Sequence, residues 1–141
     1  MGHWGVKSYE NDDADFAIDA GMEKVHEDAY EALMDDRNAL SFDDAQKKLA
    51  NSETLAAAVE SLRQEYGNDR PFDDWDETER LGFSGVIVRH AEFGVPVPAE
   101  WLDRAIAWLD SEAIEWDEAT LRTLRRQKEI ALLRSQKTGT T

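Results

Sequence analysis

Residues 74–93, DWDETERLGFSGVIVRHAEF, are the stretch from which the predicted fold is built. Asp74 and Glu77 have the spacing of a capping box, in which two side chains satisfy the first free amides of a helix. Gly94 and the prolines after it are residues that end helices. Apolar side chains cover most of the circumference between these limits, so we predict a central, buried helix from Asp74 to Phe93. Its small residues Gly82, Ser84 and Gly85 predict that another helix approaches it closely.

Helical spacing of apolar residues continues upstream of this segment. We predict three helices there, at about 12–36, at 42–50 and from Asn51 or Ser52 to Gly67. Asn11 is a natural cap for the first of them. Gly21 weakens that helix in its middle, where it allows either a kink or a close neighbour.

Two more helices are predicted downstream. Pro98 suits the first turn of one, whose apolar face carries Trp101 and Trp108, and Trp116 begins the last. The two tryptophans favour core packing, with an aromatic-lined ligand pocket as the alternative. The main apolar stripe of the last helix consists of Leu121, Leu124, Ala131 and Leu132.

The sequence therefore predicts an all-α, single-domain fold, an irregular or orthogonal bundle of about six helices. The domain spans residues 1–134 with an N-terminal arm at 1–10, and residues 135–141 form a flexible tail. Residues 4–9 are the only short candidate for a strand, and no repeat is present.

Composition excludes several classes of function. The chain has 141 residues, no Cys, and 16 Lys and Arg against 31 Asp and Glu, which gives a net charge of −15. Disulfide scaffolds, thiolate zinc sites and cysteine nucleophiles are excluded. Carboxylates over the body repel phosphates, so we expect no direct binding of nucleic acid. Neither a signal peptide nor a membrane segment is visible, and we expect a cytoplasmic protein.

The first residues carry the one resemblance to a known family. Trp4-Gly5, then Tyr9-Glu10-Asn11-Asp12, then Ala14 and Asp15-Phe16, resemble the N-terminal signature of the family called domain of unknown function 4259. Lys7-Ser8 departs from that pattern, and the likeness covers about the first twenty residues. The resemblance implies a helical bacterial protein and carries no activity.

Two interpretations of this signature stay open. In the structural one, Trp4 anchors the arm on the core and Asn11 caps the first helix. In the functional one, Trp4, Tyr9, Glu10 and Asp12 form a surface that recognises a partner.

A metal site is the sharpest chemical hypothesis. Glu23 and His26 are three residues apart on a helix and therefore share a side, as in carboxylate-bridged metal bundles, and His90 is a candidate third ligand. Both histidines also lie on apolar faces, which favours core histidines that are hydrogen-bonded by a neighbour. No pattern indicates a catalytic residue, a phosphate-binding loop or a bound cofactor.

The last helix is basic on an acidic protein. Arg122 and Arg126 accompany Ile130 and Leu133, which fall off the main apolar stripe. Such a helix either packs across the acidic body or meets a second chain, and we keep a homo-oligomer formed through it as a hypothesis. A non-enzymatic protein-interaction module is the favoured function, and an immunity or antagonist protein is its specific version. The alternative is a metal-binding protein or metal-dependent enzyme that uses Glu23, His26 and His90.

Overall fold

The computed structural model describes residues 7–34, 42–67, 70–111 and 119–139. Within these ranges the chain is helical and contains no strand, which confirms the all-α prediction. The predicted start of the last helix at Trp116, and residues 4–6 of the strand candidate, lie outside them. The described helices are α1 (Asp12–His26), α2 (Asp28–Met34), α3 (Phe42–Leu49), α4 (Ser52–Tyr66), α5 (Glu77–Glu92), α6 (Ala99–Asp110) and α7 (Ala119–Gly139), with a 3₁₀ turn at Phe72–Asp74.

Helix α5 is the centre of the bundle, as predicted. Every residue from Leu81 to Ala91 is buried, and the helix contacts α1, α4, α6 and α7. The predicted capping box is displaced by one half-turn, because Asp74 belongs to the 3₁₀ turn. The actual pair is Asp76 and Glu79, in which each carboxylate accepts the other residue's amide, at 2.8 and 2.9 Å.

Close approach of another helix at the small residues of α5 is confirmed, because a Cβ on Gly85 would stand 2.9 Å from the Cβ of Ala14 on α1. A Cβ placed on Gly85 would stand 2.6 Å from the carbonyl oxygen of Ser8, which is backbone and leaves no room for it. Gly21 allows an equally close approach between α1 and α4, because a Cβ on Gly21 would stand 2.8 Å from the carbonyl oxygen of Thr54. Glycine therefore lets α1 lie directly on α4 and lets the N-terminal segment lie on α5.

The first predicted helix is two helices, and the break lies at Glu27 and not at Gly21. Glu27 has a φ of 49°, in the left-handed region, while its amide still donates to the carbonyl oxygen of Glu23. Helix α2 starts after this turn and packs on α3. The prediction of one helix over 12–36 was wrong because a left-handed residue other than glycine leaves no mark in the periodicity of the sequence.

Helix α7 differs from its prediction in length and in its buried face. It continues through Gly139, and the Gln136 side chain accepts the Val97 amide and donates to the Val95 carbonyl oxygen, so the region predicted as a tail begins as helix. The buried side is formed by Arg126, Glu129, Ile130 and Leu133. Two residues of the predicted stripe, Leu121 and Leu124, are 56% and 57% exposed.

Candidate interaction site

An acidic groove lies along the contact between α1 and α4. Its volume is about 620 Å³, and its floor contains Ala17 and Leu62, both buried. The lining residues that the structure describes, called the acidic groove below, are Asp12, Asp13, Asp15, Phe16, Ala17, Asp19, Ser61, Leu62, Glu65 and Tyr66. Five of these ten residues are carboxylates and none is basic, so the groove carries concentrated negative charge.

Helical spacing explains why these groups face outward together. Asp12, Phe16 and Asp19 are separated by four and three residues and so lie on one side of α1. The opposite side carries Ala14 and Ile18, which are buried in the core. Packing of that apolar side against α4 fixes the orientation of the acidic side along the groove.

Phe16 is the main apolar group that the groove exposes. It is 68% exposed, although a phenylalanine side chain gains about 1.5–3 kcal/mol from full burial. Asp12 precedes it by one turn, Asp15 is its chain neighbour, and Asp19 follows by almost one turn. An aromatic ring between three carboxylates combines an apolar contact surface with a strong preference for cations.

Tyrosine hydroxyls hold two carboxylates of the groove in place. Asp13 accepts the Tyr66 hydroxyl at 2.7 Å, and Asp19 accepts the Tyr30 hydroxyl. Burial and then the charges of Asp19 and Asp12 raise the pKa of Asp15, against a smaller opposing effect of Arg89. The ion pairs given for the described residues join carboxylates outside the groove.

A second ionic cluster joins the N-terminal segment to α7. The backbone amide and hydroxyl of Ser8 donate to Glu129 Oε2 at 2.9 and 2.8 Å. Arg126 donates to Glu129 Oε1 at 3.1 Å, and Arg125 donates to Oε2 at 3.3 Å. Burial nevertheless raises the pKa of Glu129, which is 1% exposed, and its donors only partly offset this. We call Ser8, Tyr9, Glu92, Arg125, Arg126 and Glu129 the closed cluster.

Tyr9 belongs to the closed cluster and not to an open surface. The guanidinium carbons of Arg89 and Arg125 lie 4.7 and 5.9 Å from the centre of its ring. Burial, followed by the hydrogen bond with Glu92, raises the pKa of Tyr9. The ring is thus engaged within the chain, and its contacts agree with the structural interpretation of the N-terminal signature.

The other residues of that signature have different positions. Glu10 accepts the Lys7 amide at 3.0 Å, and Asn11 caps α1 by accepting the Ala14 amide at 2.9 Å. Asp12 lines the acidic groove. Trp4 lies outside the described residues. Of the three predicted recognition residues that the structure describes, Asp12 is the one that lines the groove.

The predicted interface on α7 is not exposed. Arg126, Ile130 and Leu133 are all buried within the chain, and Arg122 is half-buried. Burial of this face is possible because Arg126 and Glu129 neutralise each other and Ser8 satisfies the remaining lone pairs. Exposure at Leu121 and Leu124 was missed because these residues continue the apolar spacing of the helix.

The residues proposed as metal ligands do not form a metal site. His26 Nε2 lies 2.7 Å from the carbonyl oxygen of Leu49, and Glu23 is exposed. His90 is fully buried, with Nε2 3.1 Å from Thr54 Oγ1 and Nδ1 hydrogen-bonded to the Val86 carbonyl oxygen. In the described ranges no three His, Cys, Asp or Glu side chains are grouped so that they can hold an ion.

His90 is a hydrogen-bonded core histidine, as the competing interpretation predicted. Burial lowers its pKa to about 4, and the neighbouring charge of Arg89 acts in the same direction. The imidazole is therefore neutral at pH 7, and its role is to satisfy polar groups between α4 and α5.

Phe16 is the residue of the groove that sequence reasoning overlooked. It belongs to the N-terminal signature, but the sequence does not assign it to the recognition surface of that signature. The available signal was its position, because Phe16 falls outside the stripe of Ile18, Met22 and Val25 on the same helix. The exposure of Phe16 could thus be read from its place on the acidic side of an amphipathic helix.

Comparison with known proteins gives no relative from which a function can be transferred. No family model, curated protein or solved structure matches this chain. The resemblance of residues 4–16 to domain of unknown function 4259 stays a prediction. Among the helices described, none is long and apolar enough to cross a membrane.

Proposed function

We propose that this chain is a cytoplasmic, non-enzymatic protein-interaction module that binds a basic segment of a partner protein in the acidic groove. An immunity or antagonist protein that covers the basic surface of a toxin or a nucleic-acid enzyme works in this way. The observation that carries the proposal is the exposure of Phe16 among the five carboxylates that line the groove.

Each part of the groove supplies a different component of binding. The carboxylates attract a basic partner over a distance and accelerate association, an effect that weakens as salt is added. Phe16 supplies apolar area that becomes buried on contact, as aromatic residues do at the centres of interfaces. Tyr66 and Tyr30 hold Asp13 and Asp19 in position before a partner arrives, which lowers the entropy lost on binding.

The test begins with isolation of the partner on the wild-type chain from the organism that encodes it. The purified partner is then titrated against a variant that carries Asp12→Asn, Asp15→Asn and Glu65→Gln. These three carboxylates are chosen because Asp13 and Asp19 also bind tyrosine hydroxyls within the fold. We expect affinity to fall at least about tenfold, mostly through slower association, and its dependence on salt to weaken.

A matched control removes the same charge elsewhere. Glu53, Glu60 and Glu100 are exposed residues of α4 and α6 outside the groove, and their change to Gln is expected to alter affinity less than about twofold. Equal losses in the two triple variants would show that the net charge of −15 acts as a whole, and would refute the groove as the binding site.

A further inference from the structure

Arginine covers several half-buried aromatic rings of this protein. Arg89 lies over both Tyr9 and Phe93, with its guanidinium carbon 4.7 and 4.5 Å from the ring centres. Arg104 lies 4.4 Å from the ring centre of Phe72. Trp108 is covered in the same way by Arg80 and Arg104, each at 5.4 Å. Guanidinium stacking is thus the recurrent way in which this chain shields an aromatic face.

The closed cluster shows how carboxylates complete such an arrangement. Arg125 lies over the ring of Tyr9 and at the same time forms ion pairs with Glu92 and Glu129. One guanidinium therefore uses its face for the ring and its N–H groups for two carboxylates. This division suits arginine, whose planar group is weakly hydrated and donates in a fixed fork.

Phe16 has the ring and the carboxylates of that arrangement. It is 68% exposed, and Asp12, Asp15 and Asp19 line the same groove. The cation–ring contacts given for the described residues are at Tyr9, Phe72, Phe93 and Trp108. Within the described part of the chain, the groove therefore offers acceptors and an aromatic face to which a guanidinium of a partner can bind.

We propose that the acidic groove selects arginine: an arginine of the partner stacks on Phe16 and donates hydrogen bonds to the flanking aspartates. This inference rests on the proposed function and specifies the side chain that the groove binds. Lysine fits less well because its ammonium is compact and strongly hydrated, and because it has no planar face to place on a ring. Arginine in the partner is then required for its shape as well as for its charge.

The probes are two synthetic peptides of equal charge, acetyl-GRGRGRG-amide and acetyl-GKGKGKG-amide. Each is titrated into the full ¹⁵N-labelled chain at low salt, and amide shifts at residues 12–19 report on the groove. We expect the arginine peptide to bind about three- to fivefold more tightly than the lysine peptide, the size of an exposed cation–π contact. Shifts are expected in α1 and not at Leu124 on α7.

Variants at position 16 separate the contribution of the aromatic ring to binding from the contribution of apolar bulk. Phe16→Leu keeps an apolar side chain and the helix, and is expected to bring the arginine peptide down to the affinity of the lysine peptide. Phe16→Trp, which has the stronger quadrupole, is expected to retain or increase the preference. The lysine peptide is expected to bind all three chains within about twofold.

Different results overturn the two proposals. Equal binding of both peptides, with no loss in Phe16→Leu, refutes selection of arginine and leaves the groove as a general electrostatic site. Absence of shifts in α1 with either peptide refutes the groove itself. Self-association that depends on concentration and disappears in Phe16→Leu would show that a second copy occupies the groove, and would also refute the proposed ligand.

Discussion

The closed cluster and the acidic groove both combine an aromatic ring with carboxylates, but these groups are mostly buried in the closed cluster and mostly exposed in the groove. In the closed cluster, Glu129 is 1% exposed and accepts hydrogen bonds from Ser8, Arg125 and Arg126. In the groove, Phe16 and its flanking aspartates are exposed. The side chains of the first arrangement are engaged with one another, whereas those of the second face solvent, where we propose that a cation of a partner binds them.

This contrast separates stability from binding. A buried ion cluster contributes to stability only while every partner is present, since one removed member leaves another charge buried without compensation. An exposed groove contributes little to folding, so its residues are free to serve recognition. Substitutions in the closed cluster should therefore lower the free energy of unfolding, whereas substitutions in the acidic groove should lower the affinity for a partner.

The largest expected effect is at the closed cluster. Glu129→Ala removes the acceptor of Ser8 and a carboxylate that pairs with the buried Arg126. We expect a loss of about 3–5 kcal/mol in the free energy of unfolding, measured by urea denaturation. Glu65→Gln in the groove is the control and is expected to change it by less than about 0.5 kcal/mol. A small effect at Glu129 would contradict the view that this cluster holds the N-terminal segment on α7.

The next effect is the pH dependence that buried His90 produces. Its pKa is about 4 in the folded chain against 6.5 in the unfolded chain, so below pH 6.5 the unfolded chain binds the proton more tightly. Stability is thus full above pH 6.5 and falls by about 3 kcal/mol as pH decreases to 4. Denaturation at pH 7 and pH 4.5 measures the loss, and His90→Gln is expected to reduce it, since the amide does not titrate. An identical pH profile in the variant would mean that His90 is not buried in its neutral form.

A smaller loss is expected where the N-terminal segment lies on α5. Gly85→Ala places a Cβ against the Ser8 carbonyl oxygen and the Tyr9 Cα, which have to move. We expect about 1–3 kcal/mol of destabilisation. Gly94→Ala gives a useful comparison, because nothing lies within 4 Å of its Cβ and only the positive φ of 84° opposes it. Heat denaturation of both variants separates steric contact from backbone strain.

The smallest effect on folding is expected at Phe16. Phe16→Ala removes an exposed ring and inserts the best helix former, so stability is expected to stay within about 0.5 kcal/mol. Partner affinity is expected to fall at least about tenfold in the same variant. A clear destabilisation with unchanged partner affinity would show that Phe16 contributes to folding and not to binding, and would contradict the contrast with the closed cluster.

The spacing of apolar residues predicts most of the helices, and the capping residues predict most of their ends. Asn11, Asn51 and Gly67 cap helices where their residue types predicted it, and the glycines of α5 permit the close approach expected of them. These features depend on local geometry, which a single chain segment specifies.

The features that the sequence did not predict depend on contacts between distant segments. The buried face of α7 includes Arg126 and Glu129, and contacts with each other and with Ser8 help to make the burial of these charged residues possible. Glu27 adopts a left-handed backbone conformation that the spacing of apolar residues does not predict. Phe16 stays exposed because the opposite side of α1 packs on α4. Which side of α1 becomes buried depends on contacts with other helices and not on α1 alone.

Site-specific photo-crosslinking tests the central claim most directly. Benzoylphenylalanine is placed at position 16 in one chain and at position 124, the other exposed apolar surface, in a second chain. Both are irradiated in cells of the organism that encodes the protein, and adducts are sequenced by mass spectrometry. We predict an adduct from position 16 alone, joined to a partner segment that contains arginine. Adducts only from position 124, or from position 16 to a segment without basic residues, would contradict the account.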